Sequence, residues 1–427
     1  MSDYLALPPA REVRGIVTAP PSKSATNRAL LLAALSEEPV EIVRPLPCED
    51  TTALSRCLLA MGASIERTPG GVRVRGPLSA GENTEPLLDV GESGTAARFL
   101  TALAAATPGR FRLTGAPRLL ERPIGELVEA LRSRGAEIEF LGVEGRLPLR
   151  IRGGRLRPGH VVVDAARSSQ FLSALLLAGV ALGDGLEVSA AGRIASSRYV
   201  TATLRAIRAF GHRVTEDTVL RVTRGVRSVE HYEVPGDFSS AIALLASAGA
   251  ARGEVAVEGL EWPSEEADAL AVPVLQKMGI SISTGHGRLC ASCENGALLP
   301  VSVVATDFPD SVPVLAALAA LAAGRSRFAG IGHLRWKESD RLESCAGIVS
   351  SFGAEARADP DGIDVEGPAR PSAGIVRLWT HGDHRIAMAA ALLCLARPGL
   401  LLQNPSCVAK SYPNFFRDLE TIVVRSA

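Results

Sequence analysis

Lysine is scarce in this sequence of 427 residues. Only four lysines, Lys23, Lys277, Lys337 and Lys410, stand beside 42 arginines. Arginine therefore supplies nearly all of the solvated positive charge, and lysine is kept in very few places. Because a planar guanidinium is a poor substitute for a compact, mobile ammonium, we expect some of these lysines to lie in a site that needs this group.

Other features are missing as well, and each absence excludes a class of protein. The 46 basic side chains are balanced by 46 acidic ones, whereas nucleic-acid-binding proteins usually carry a basic excess. The longest apolar run, residues 312–324, is too short to span a bilayer, and the first residues show no secretory signal pattern. Seven scattered cysteines are typical of reduced thiols. The sequence thus predicts a soluble cytoplasmic protein that binds neither nucleic acid nor membrane.

Familiar cofactor and nucleophile motifs are also absent. There is no G-x-x-x-x-G-K-[ST] phosphate loop, no dinucleotide-binding fingerprint and no G-x-S-x-G elbow. Cys290 and Cys293 have no second pair, and residues three apart on a strand point to opposite faces, which disfavours zinc. His381 and His384 lack a matching set of ligands. We therefore expect chemistry without a metal or other cofactor.

What the sequence does contain is a repeat. A small or acidic residue followed by an Ala/Leu-rich run occurs at successive spacings of 71, 74, 70, 71 and 73 residues. Between these runs lies a second helix that ends near a glycine, followed by two short alternating strands. The anchor residues of the runs are Ser24, Thr95, Ser169, Ser239, Asp310 and Asp383, and the glycines are Gly62, Gly135, Gly211, Gly279 and Gly353. The chain is thus predicted to contain six units of two helices and several strands.

Three such units make a domain of ordinary size, so six units predict two domains. We expect one domain to comprise residues 21–239 and the other residues 1–20 together with 240–427. The sixth unit lacks its last strands where the chain ends, and strand-like residues between Leu5 and Val17 are expected to complete it. Ligands are expected in the cleft between the domains.

The starts of the Ala/Leu-rich helices carry positive charge. A helix N-terminus attracts anions through its free N–H groups, although a Ser, Thr or Asp there is more often a simple cap. Arg28, Arg98 and Arg385 each lie near such a start, where a buried arginine needs a partner. They are either solvent-facing charges or the wall of a pocket for an anionic substrate, and three parallel cases favour the pocket.

Two further charged segments allow more than one interpretation. Residues 333–341 alternate positive and negative side chains. They form either a solvated helix start with internal ion pairs or a cationic clamp in which Lys337 and Glu338 hold an anion and move a proton. Arg122, in a Glu-Arg-Pro segment, lies at a predicted loop-to-helix start and is a weak signal by itself.

Eight ordered motifs resemble the 5-enolpyruvylshikimate-3-phosphate synthase family of enolpyruvyl transferases. They extend over essentially the whole chain and read PPSKSATNRALLLAAL, GESGTAARFL, ERPIGELVEAL, SSQFLSALLLAG, VPGDFSSA, LRWKESDRL, GDHRIAMA and CVAKSYPNFF. The resemblance implies an α/β (α+β) fold with two domains that form an inside-out α/β barrel. Each domain would hold three βαβαββ units, with the helix N-termini facing the inter-domain cleft.

The resemblance implies an activity and assigns residues to it. The enolpyruvyl group of phosphoenolpyruvate would be transferred to the 5-hydroxyl of shikimate 3-phosphate, with release of phosphate, in the shikimate pathway to chorismate and aromatic amino acids. Asp310 would take the hydroxyl proton, Lys337 and Glu338 would supply the proton to the methylene carbon, and Lys23 would assist. Shikimate 3-phosphate would be bound by Lys23, Ser24, Arg28, Ser168, Ser169, Gln170, Ser196, Tyr199, Asp310, His333 and Lys337. Phosphoenolpyruvate would be bound by Lys23, Gly94, Thr95, Arg98, Arg122, Gln170, Arg341, Arg385 and Lys410.

The same resemblance implies no metal and no cofactor, a monomer, and inhibition by glyphosate. The sequence departs from the family pattern at four places. Glu92 and Gly382 each stand where Asn is usual, and Arg167 stands where a small residue is common. Ser197-Arg198 replaces a Lys/Arg-Pro pair. None of these departures removes a charged catalytic residue.

Two alternatives remain open at this point. The related UDP-N-acetylglucosamine enolpyruvyl transferases share the architecture. They carry a Lys-Asn pair near the N-terminus and use a loop cysteine as acid. Here the pair is Lys23-Ser24, and no cysteine occurs between Cys57 and Cys290. The other alternative is a non-catalytic six-unit clamp around nucleic acid, which the zero net charge disfavours.

Overall fold

A computed structural model describes residues 4–81, 84–225, 229–285, 287–294, 296–370 and 374–425. The chain divides into two compact units: the central unit, Pro21–Val234, and the terminal unit, Met1–Pro20 with Pro235–Ala427. The second crossing thus lies a few residues before the 239/240 boundary expected from the sequence. Asp237 belongs to the terminal unit because its N–H donates to the carbonyl oxygen of Pro20 over 2.8 Å.

The described residues contain thirteen α-helices and four 3-10 helices. The α-helices are α1 (Lys23–Ala33), α2 (Glu49–Ala60), α3 (Gly94–Ala106), α4 (Pro117–Leu120), α5 (Gly125–Ser133), α6 (Gln170–Ala181), α7 (Arg198–Ala209), α8 (Phe238–Ala251), α9 (Ala271–Lys277), α10 (Val312–Ala319), α11 (Arg341–Phe352), α12 (His384–Ala396) and α13 (Phe415–Glu420). The 3-10 helices are Ala267–Leu270, Pro309–Ser311, Gly332–Trp336 and Pro405–Lys410. Within the same ranges, none of the helices is both long and apolar enough to cross a membrane.

The strands are short. In chain order they are β1 (Tyr4–Ala6), β2 (Glu12–Thr18), β3 (Val40–Val43), β4 (Ser64–Thr68), β5 (Gly71–Arg75), β6 (Leu87–Asp89), β7 (Gly109–Thr114), β8 (Glu137–Phe140), β9 (Leu149–Gly153), β10 (Gly159–Val163), β11 (Leu186–Ala190), β12 (Arg213–Glu216), β13 (Leu220–Thr223), β14 (His231–Glu233), β15 (Gly253–Glu258), β16 (Ser281–Gly285), β17 (Arg288–Cys293), β18 (Ser302–Val304), β19 (Gly324–Ala329), β20 (Glu355–Ala358), β21 (Ile363–Gly367), β22 (Val376–Leu378), β23 (Leu400–Gln403) and β24 (Val423–Val424).

These strands form six open sheets in the described part of the chain, three in each unit. The central unit has the strand orders β14-β3-β5-β4, β6-β7-β9-β8 and β10-β11-β13-β12. The terminal unit has β16-β17-β15-β2-β24, β18-β19-β21-β20 and β1-β23-β22. Each sheet contains one parallel pair, which in four sheets is joined through a helix, such as β6 with β7, and five sheets add an antiparallel hairpin, such as β8 with β9. The sheets thus follow the six-fold repeat, with departures where the chain crosses between the units and where it ends.

The chain termini complete the sixth unit only in part. Strand β1 pairs antiparallel with β23, as the sequence predicted for the residues around Leu5. Strand β2, by contrast, lies parallel to β15 and opens the fourth unit, and β24 joins the free side of β2. The sixth sheet therefore has three strands, because the last strand of the chain is used by another sheet.

The helices lie inside and the sheets outside. All residues of α8 and α10 are buried, and so are nearly all of α3 and α12. The sheets alternate buried and exposed side chains, as β9 does with its pattern of buried Leu149 and Ile151, so one face of each is solvated. Each unit has its own apolar core. The expected mixed α/β fold with inward-facing helices is confirmed.

The five predicted glycines end the second helix of their units. Gly62, Gly135, Gly211, Gly279 and Gly353 have φ angles between 80° and 110°, which residues with a side chain rarely adopt. Space is tight as well, since a Cβ on Gly353 would lie 2.3 Å from the carbonyl oxygen of Arg370. Glycine at these positions lets the chain turn from helix into hairpin, which explains why the residue recurs at the repeat period.

Candidate active site

The side chains that cap three helices lie two residues before the repeat anchors. Ser22, Ser93 and Asp237 accept a hydrogen bond from a backbone N–H in the first turn of α1, α3 and α8. The capping function therefore belongs to these residues. The anchors that follow are the second residues of their helices, and their hydroxyls are available for other contacts.

In the central unit, two of these anchors hold side chains that the sequence assigned to substrate binding. The Ser24 hydroxyl accepts a hydrogen bond from Arg28 Nη1 over 2.5 Å. The Thr95 hydroxyl accepts one from Gln170 Nε2 over 3.1 Å, which links the starts of α3 and α6. The repeat thus places a hydroxyl where it orients a longer polar side chain, rather than at the cap itself.

Arg28 is buried, with 3 % of its surface exposed, and is fixed by neutral oxygens. Its Nε donates to Thr203 Oγ1 over 2.8 Å, Nη1 to the Ser24 carbonyl over 3.0 Å and Nη2 to the Tyr199 carbonyl over 3.0 Å. Its guanidinium also lies 5.3 Å from the centre of the Phe99 ring. These contacts hold the guanidinium of Arg28 in one orientation at the start of α1.

Lys23, the first residue of α1, is paired with a carboxylate. Its Nζ lies 2.9 Å from Asp50 Oδ2, and the two side chains are 15 % and 5 % exposed. Asp50 stands in the first turn of α2, where the helix dipole stabilises a negative charge. No motif of the sequence pointed to Asp50, which holds the ammonium in place while Lys23 stays partly exposed.

A second cationic group in the central unit surrounds Gly94. The guanidinium of Arg122 lies against this glycine, since a Cβ there would be 2.7 Å from Nη1 and Nη2. Arg98, one turn along α3, donates to the carbonyl oxygens of Gly94 over 3.3 Å and of Pro123 over 2.7 Å. The structure thus brings together three of the residues predicted to bind phosphoenolpyruvate.

The remaining predicted residues of the central unit lie at the starts of α6 and α7. Ser169 is the buried N-cap residue of α6, and Ser168 Oγ accepts from the N–H of Gln170 over 3.3 Å. Ser196 is buried and has a φ of 56°, an uncommon conformation for a residue with a side chain. Tyr199, in the first turn of α7, presents its carbonyl to Arg28. Strain at a buried polar residue is frequent in binding sites.

The terminal unit gathers five charged side chains around Arg341. Together with it they form what we call the Arg341 cluster: Asp310, Lys337, Glu338, Arg341, Asp383 and Arg385. Arg341 Nε lies 2.8 Å from Asp383 Oδ2, its Nη1 2.7 Å from Asp310 Oδ1 and its Nη2 2.8 Å from Glu338 Oε2. The guanidinium thus donates to three carboxylates. Burial alone would lower the pKa of Arg341, but these carboxylates raise it well above its ordinary value.

Asp310 lies among the cations of this cluster. Besides its hydrogen bond to Arg341, its oxygens are 4.0 Å from Lys337 Nζ and 3.8 Å from Arg385 Nη2. Burial would raise the pKa of Asp310, but the three cations outweigh burial and hold it well below the usual range. The carboxyl group is therefore ionised at neutral pH and can accept a proton.

Arg385 is the third long side chain held by an anchor hydroxyl. Its Nη2 donates to Ser239 Oγ, and that hydroxyl in turn donates to Asp237 Oδ1. The side chain is 2 % exposed, yet its Nε and Nη1 are buried without a hydrogen-bond partner among the described residues. Buried donors without acceptors are costly, so this guanidinium retains hydrogen-bonding capacity that the described residues do not use.

His333 and Lys410 complete the predicted residues of the terminal unit. His333 lies in the 3-10 helix Gly332–Trp336, directly before Lys337. Lys410 ends the 3-10 helix Pro405–Lys410, which packs on the helix that carries Arg385, and its side chain is almost fully buried.

Asp383 is the clearest case of a residue whose part in the Arg341 cluster cannot be seen in the sequence. The repeat predicts it only as the sixth anchor, at a helix start. In the structure it caps α12 by accepting from the N–H of Arg385 over 2.9 Å and also holds Arg341. Burying the Asp383 carboxylate completely without a cation beside it would cost free energy. A buried acid at a helix start could therefore have indicated a neighbouring cation.

The departures from the family pattern have local explanations in three cases. Gly382 has a φ of 70°, a conformation that Asn tolerates nearly as well as Gly. Arg167 pairs with Glu126 over 3.1 Å at the surface. Ser197 and Arg198 form the start of α7. The exposed Glu92 directly precedes Ser93, the N-cap of α3.

No group of three or more His, Cys, Asp or Glu side chains is placed to hold a metal ion in the ranges that the structure describes. Strand β17 carries both Cys290 and Cys293, and the two thiols are free. The chemistry of the two clusters therefore rests on arginine, lysine, hydroxyl and carboxylate groups.

Comparison with known proteins now decides the family. The sequence profile described as EPSP synthase (3-phosphoshikimate 1-carboxyvinyltransferase) matches residues 8–419. The chain belongs to the EPSP synthase family. A 3-phosphoshikimate 1-carboxyvinyltransferase from Thermococcus kodakarensis is 40 % identical over 426 residues, which cover 97 % of this chain and 99 % of the relative. One from Syntrophobacter fumaroxidans is 38 % identical over 420 residues, with coverages of 97 % and 98 %.

Solved structures agree with this membership of the EPSP synthase family. The EPSP synthase of Acinetobacter baumannii superposes with a TM-score of 0.79 at 26 % identity and covers 99 % of this chain and 98 % of that one. The enolpyruvyl transferase NikO of Streptomyces tendae superposes with a TM-score of 0.78 at 20 % identity, over 98 % and 97 % of the two chains. The second likeness supports the fold alone.

Proposed function

We propose that the protein is a 3-phosphoshikimate 1-carboxyvinyltransferase, which transfers the enolpyruvyl group of phosphoenolpyruvate to the 5-hydroxyl of shikimate 3-phosphate and releases inorganic phosphate. Membership of the EPSP synthase family over residues 8–419 supports this activity. The activity belongs to the shikimate pathway to chorismate and the aromatic amino acids, and it requires no metal and no cofactor.

The observation that carries the proposal at the level of the site is the Arg341 cluster. Arg385 keeps two buried donors that find no acceptor in the described part of the chain, and it lies beside Asp310, a carboxylate held ionised by cations. An anionic substrate whose carboxylate accepts from Arg385 and Arg341 would therefore sit next to a base. Phosphoenolpyruvate has such a carboxylate on the carbon that reacts.

The central unit would supply the contacts to phosphate. Arg28, which donates to the Thr203 hydroxyl and the Tyr199 carbonyl, would bind the phosphate of shikimate 3-phosphate together with Lys23, Ser24, Ser168, Ser169, Gln170, Ser196 and Tyr199. The cationic group of Gly94, Thr95, Arg98 and Arg122 would bind phosphoenolpyruvate, with Lys23, Gln170 and Lys410. His333 is proposed to lie near the shikimate ring.

The proton transfers follow from the roles of the carboxylates. The 5-hydroxyl oxygen adds to the C2 carbon of phosphoenolpyruvate while Asp310 takes its proton, and Glu338 with Lys337 supplies a proton to C3, which becomes a methyl group. The tetrahedral intermediate then loses phosphate, and one proton leaves the methyl group to restore the vinyl ether. Arginine and lysine donors stabilise the charge that develops at each stage.

The proposed activity also leads us to propose an inhibitor, an oligomeric state and a cellular location. Glyphosate, an anion with a carboxylate and a phosphonate, is proposed to inhibit in competition with phosphoenolpyruvate, because the absence of a side chain on Gly94 lets the Arg122 guanidinium lie against the start of α3. We propose that the enzyme acts as a monomer in the cytoplasm, where its seven free cysteines would remain reduced.

The direct test is an assay of phosphate release with the purified full-length protein. Phosphate is expected only when phosphoenolpyruvate and shikimate 3-phosphate are both present. A parallel reaction with UDP-N-acetylglucosamine as acceptor should release none, which separates this activity from that of the related transferases. Absence of phosphate with both expected substrates, or release with the nucleotide sugar instead, would overturn the proposal.

A further inference from the structure

We propose that Asp310 and Glu338 are internal stand-ins for the substrate carboxylate on Arg341, and that binding of phosphoenolpyruvate displaces both so that they become available for proton transfer. This inference rests on the proposed function, because it takes phosphoenolpyruvate as the anion that reaches Arg341. It adds a role to two residues that otherwise act only in the proton transfers themselves.

The arrangement of the three carboxylates shows which of them can leave. Asp383 is fully buried and takes the Nε side of Arg341, with Oδ2 at 2.8 Å from Nε and Oδ1 at 3.4 Å from Nη2. Asp310 and Glu338 are 22 % and 11 % exposed and take the outer Nη1 and Nη2 atoms. The guanidinium itself is only 2 % exposed. A ligand can therefore approach Arg341 only from the side that Asp310 and Glu338 occupy.

Hydrogen-bond geometry prevents Arg341 from holding Asp310 and Glu338 and a substrate carboxylate at the same time. A carboxylate binds arginine best when its two oxygens face two neighbouring N–H groups of the guanidinium. The Nε side is taken by Asp383, so the end formed by Nη1 and Nη2 is the place for a second bidentate carboxylate. In the structure this end donates to Asp310 over 2.7 Å and to Glu338 over 2.8 Å.

Charge balance leads to the same conclusion. The Arg341 cluster contains three cations and three carboxylates in mutual contact. The cluster is thus balanced without a ligand, and its positive charge becomes available to an incoming anion only when Asp310 or Glu338 gives up its contact. Competition of this kind lowers the apparent affinity for the ligand by the fraction of molecules in which the site is free.

Displacement would also prepare the two groups for catalysis. Asp310 now faces Arg341, Lys337 and Arg385 as cations and Glu338 as a neighbouring acid. When a substrate carboxylate takes Arg341, Asp310 loses its closest cation and gains a second anion nearby, so its affinity for a proton rises. A base that is weak in the free protein would therefore strengthen only when its reaction partner is bound.

The test measures phosphoenolpyruvate binding without turnover. The full-length enzyme is saturated with 5-deoxyshikimate 3-phosphate, which lacks the reacting hydroxyl, and phosphoenolpyruvate is titrated by calorimetry. Asp310→Asn and Glu338→Gln keep the shape of each side chain but remove the competing charge. Each variant is expected to bind phosphoenolpyruvate more tightly than the wild type, by about threefold to tenfold, although each turns over more slowly. Asp364→Asn, which disturbs only the surface pairs with Arg325 and Arg327, should bind as the wild type does.

Weaker or unchanged binding in both variants would overturn the inference, and a thermal scan of each variant shows whether it is folded. A crystal structure of the wild-type complex with the same two ligands provides a measurement that depends on no variant. The Arg341–Asp310 contact of 2.7 Å should be broken there, and its persistence beside bound phosphoenolpyruvate would contradict displacement. If the wild type fails to turn over the natural substrates, the proposed function fails instead, so the two failures are distinguishable.

Asp383 differs from Asp310 and Glu338 because it acts as a positioning residue for Arg341. Asp383→Asn keeps an acceptor for the N–H of Arg385 but loses the charge that fixes the guanidinium. We expect the KM for phosphoenolpyruvate to rise about tenfold while the KM for shikimate 3-phosphate stays unchanged. Equal rises of both KM values would indicate a general structural defect and would count against this part.

Discussion

The two compact units hold their buried arginines in different ways. In the central unit, Arg28 and Arg98 donate to hydroxyl and carbonyl oxygens, which carry no net charge. In the terminal unit, Arg341 donates to three carboxylates. Neutral acceptors fix an arginine and leave its charge for a ligand, whereas carboxylates fix it and cancel that charge.

From this difference we propose a division of labour between two units of the same repeated fold. Arginines oriented by hydroxyl and carbonyl oxygens suit the binding of phosphate groups that keep their charge throughout the reaction. A balanced cluster of acids and cations suits proton transfer, because small shifts of charge move protons between its members. Substitutions in the terminal cluster should therefore lower kcat most, and substitutions in the central unit should raise KM most.

The largest effect is expected for Asp310→Ala. Loss of the proposed base should lower kcat by about 10³-fold, while binding of shikimate 3-phosphate, measured by calorimetry, survives. Asp364→Ala in the same unit serves as the control, because its partners Arg325 and Arg327 lie in an exposed sheet. Turnover that persists in Asp310→Ala would assign the base to another residue.

Arg28→Ala tests the central unit. Its guanidinium makes no contribution to proton transfer in this account, so the KM for shikimate 3-phosphate should rise about 100-fold from the loss of charged hydrogen bonds, with a smaller change in kcat. Arg208→Ala removes an arginine that pairs with Glu216 at the surface of the same unit and should change neither constant. A fall in kcat with an unchanged KM would contradict the distinction between the two units.

Gly94→Ala sharpens the comparison further within the central unit. The new Cβ would lie 2.7 Å from Arg122 Nη1 and Nη2, so the guanidinium must move. We expect the KM for phosphoenolpyruvate to rise about tenfold and inhibition by glyphosate to weaken. Gly70→Ala, where no atom lies within 4 Å of a new Cβ, is the matched control. An unchanged KM would show that Arg122 does not need its place beside Gly94.

The smallest effect concerns stability and pH. Burial lowers the pKa of His212 to about 4, and the neighbouring Arg224 acts in the same direction. Since the folded value lies below the unfolded one, the stability that neutral His212 contributes is complete above pH 6.5 and is lost as the pH falls through about 4. His212→Asn keeps an acceptor for the Gly225 N–H and should cost on the order of 1 kcal/mol at neutral pH.

The measurement for His212 is the thermal midpoint of the wild type and of His212→Asn between pH 7 and pH 4. The gap between the two proteins should shrink as the pH falls, because only the wild type must protonate the imidazole. A constant gap would mean that His212 titrates normally in the folded central unit.

The sequence was informative wherever a signal is local and repeated. The period of about 70 residues, the five glycines after the second helices and the inward Ala/Leu-rich helices each follow from short-range rules that six units repeat. Motifs read along the chain also brought together Asp310, Lys337, Glu338 and Arg341, which the structure places in one cluster.

The parts that could not be predicted are contacts between distant residues. Asp383 is separated from Arg341 by 42 residues, and Asp50 from Lys23 by 27. Each acid stands at an ordinary helix start, where capping or dipole effects already explain an acidic side chain. The anchor hydroxyls were likewise expected to cap helices or bind phosphate, and only the three-dimensional arrangement shows that they orient Arg28, Gln170 and Arg385.

The most direct test of the account is the reaction itself, followed by proton NMR in deuterium oxide. The account predicts vinyl ether and inorganic phosphate in equal amounts, with solvent deuterium in the product methylene, because C3 becomes a methyl group before one hydrogen is removed. Product without deuterium, or phosphate without vinyl ether, would contradict an addition and elimination catalysed by Asp310 and Glu338.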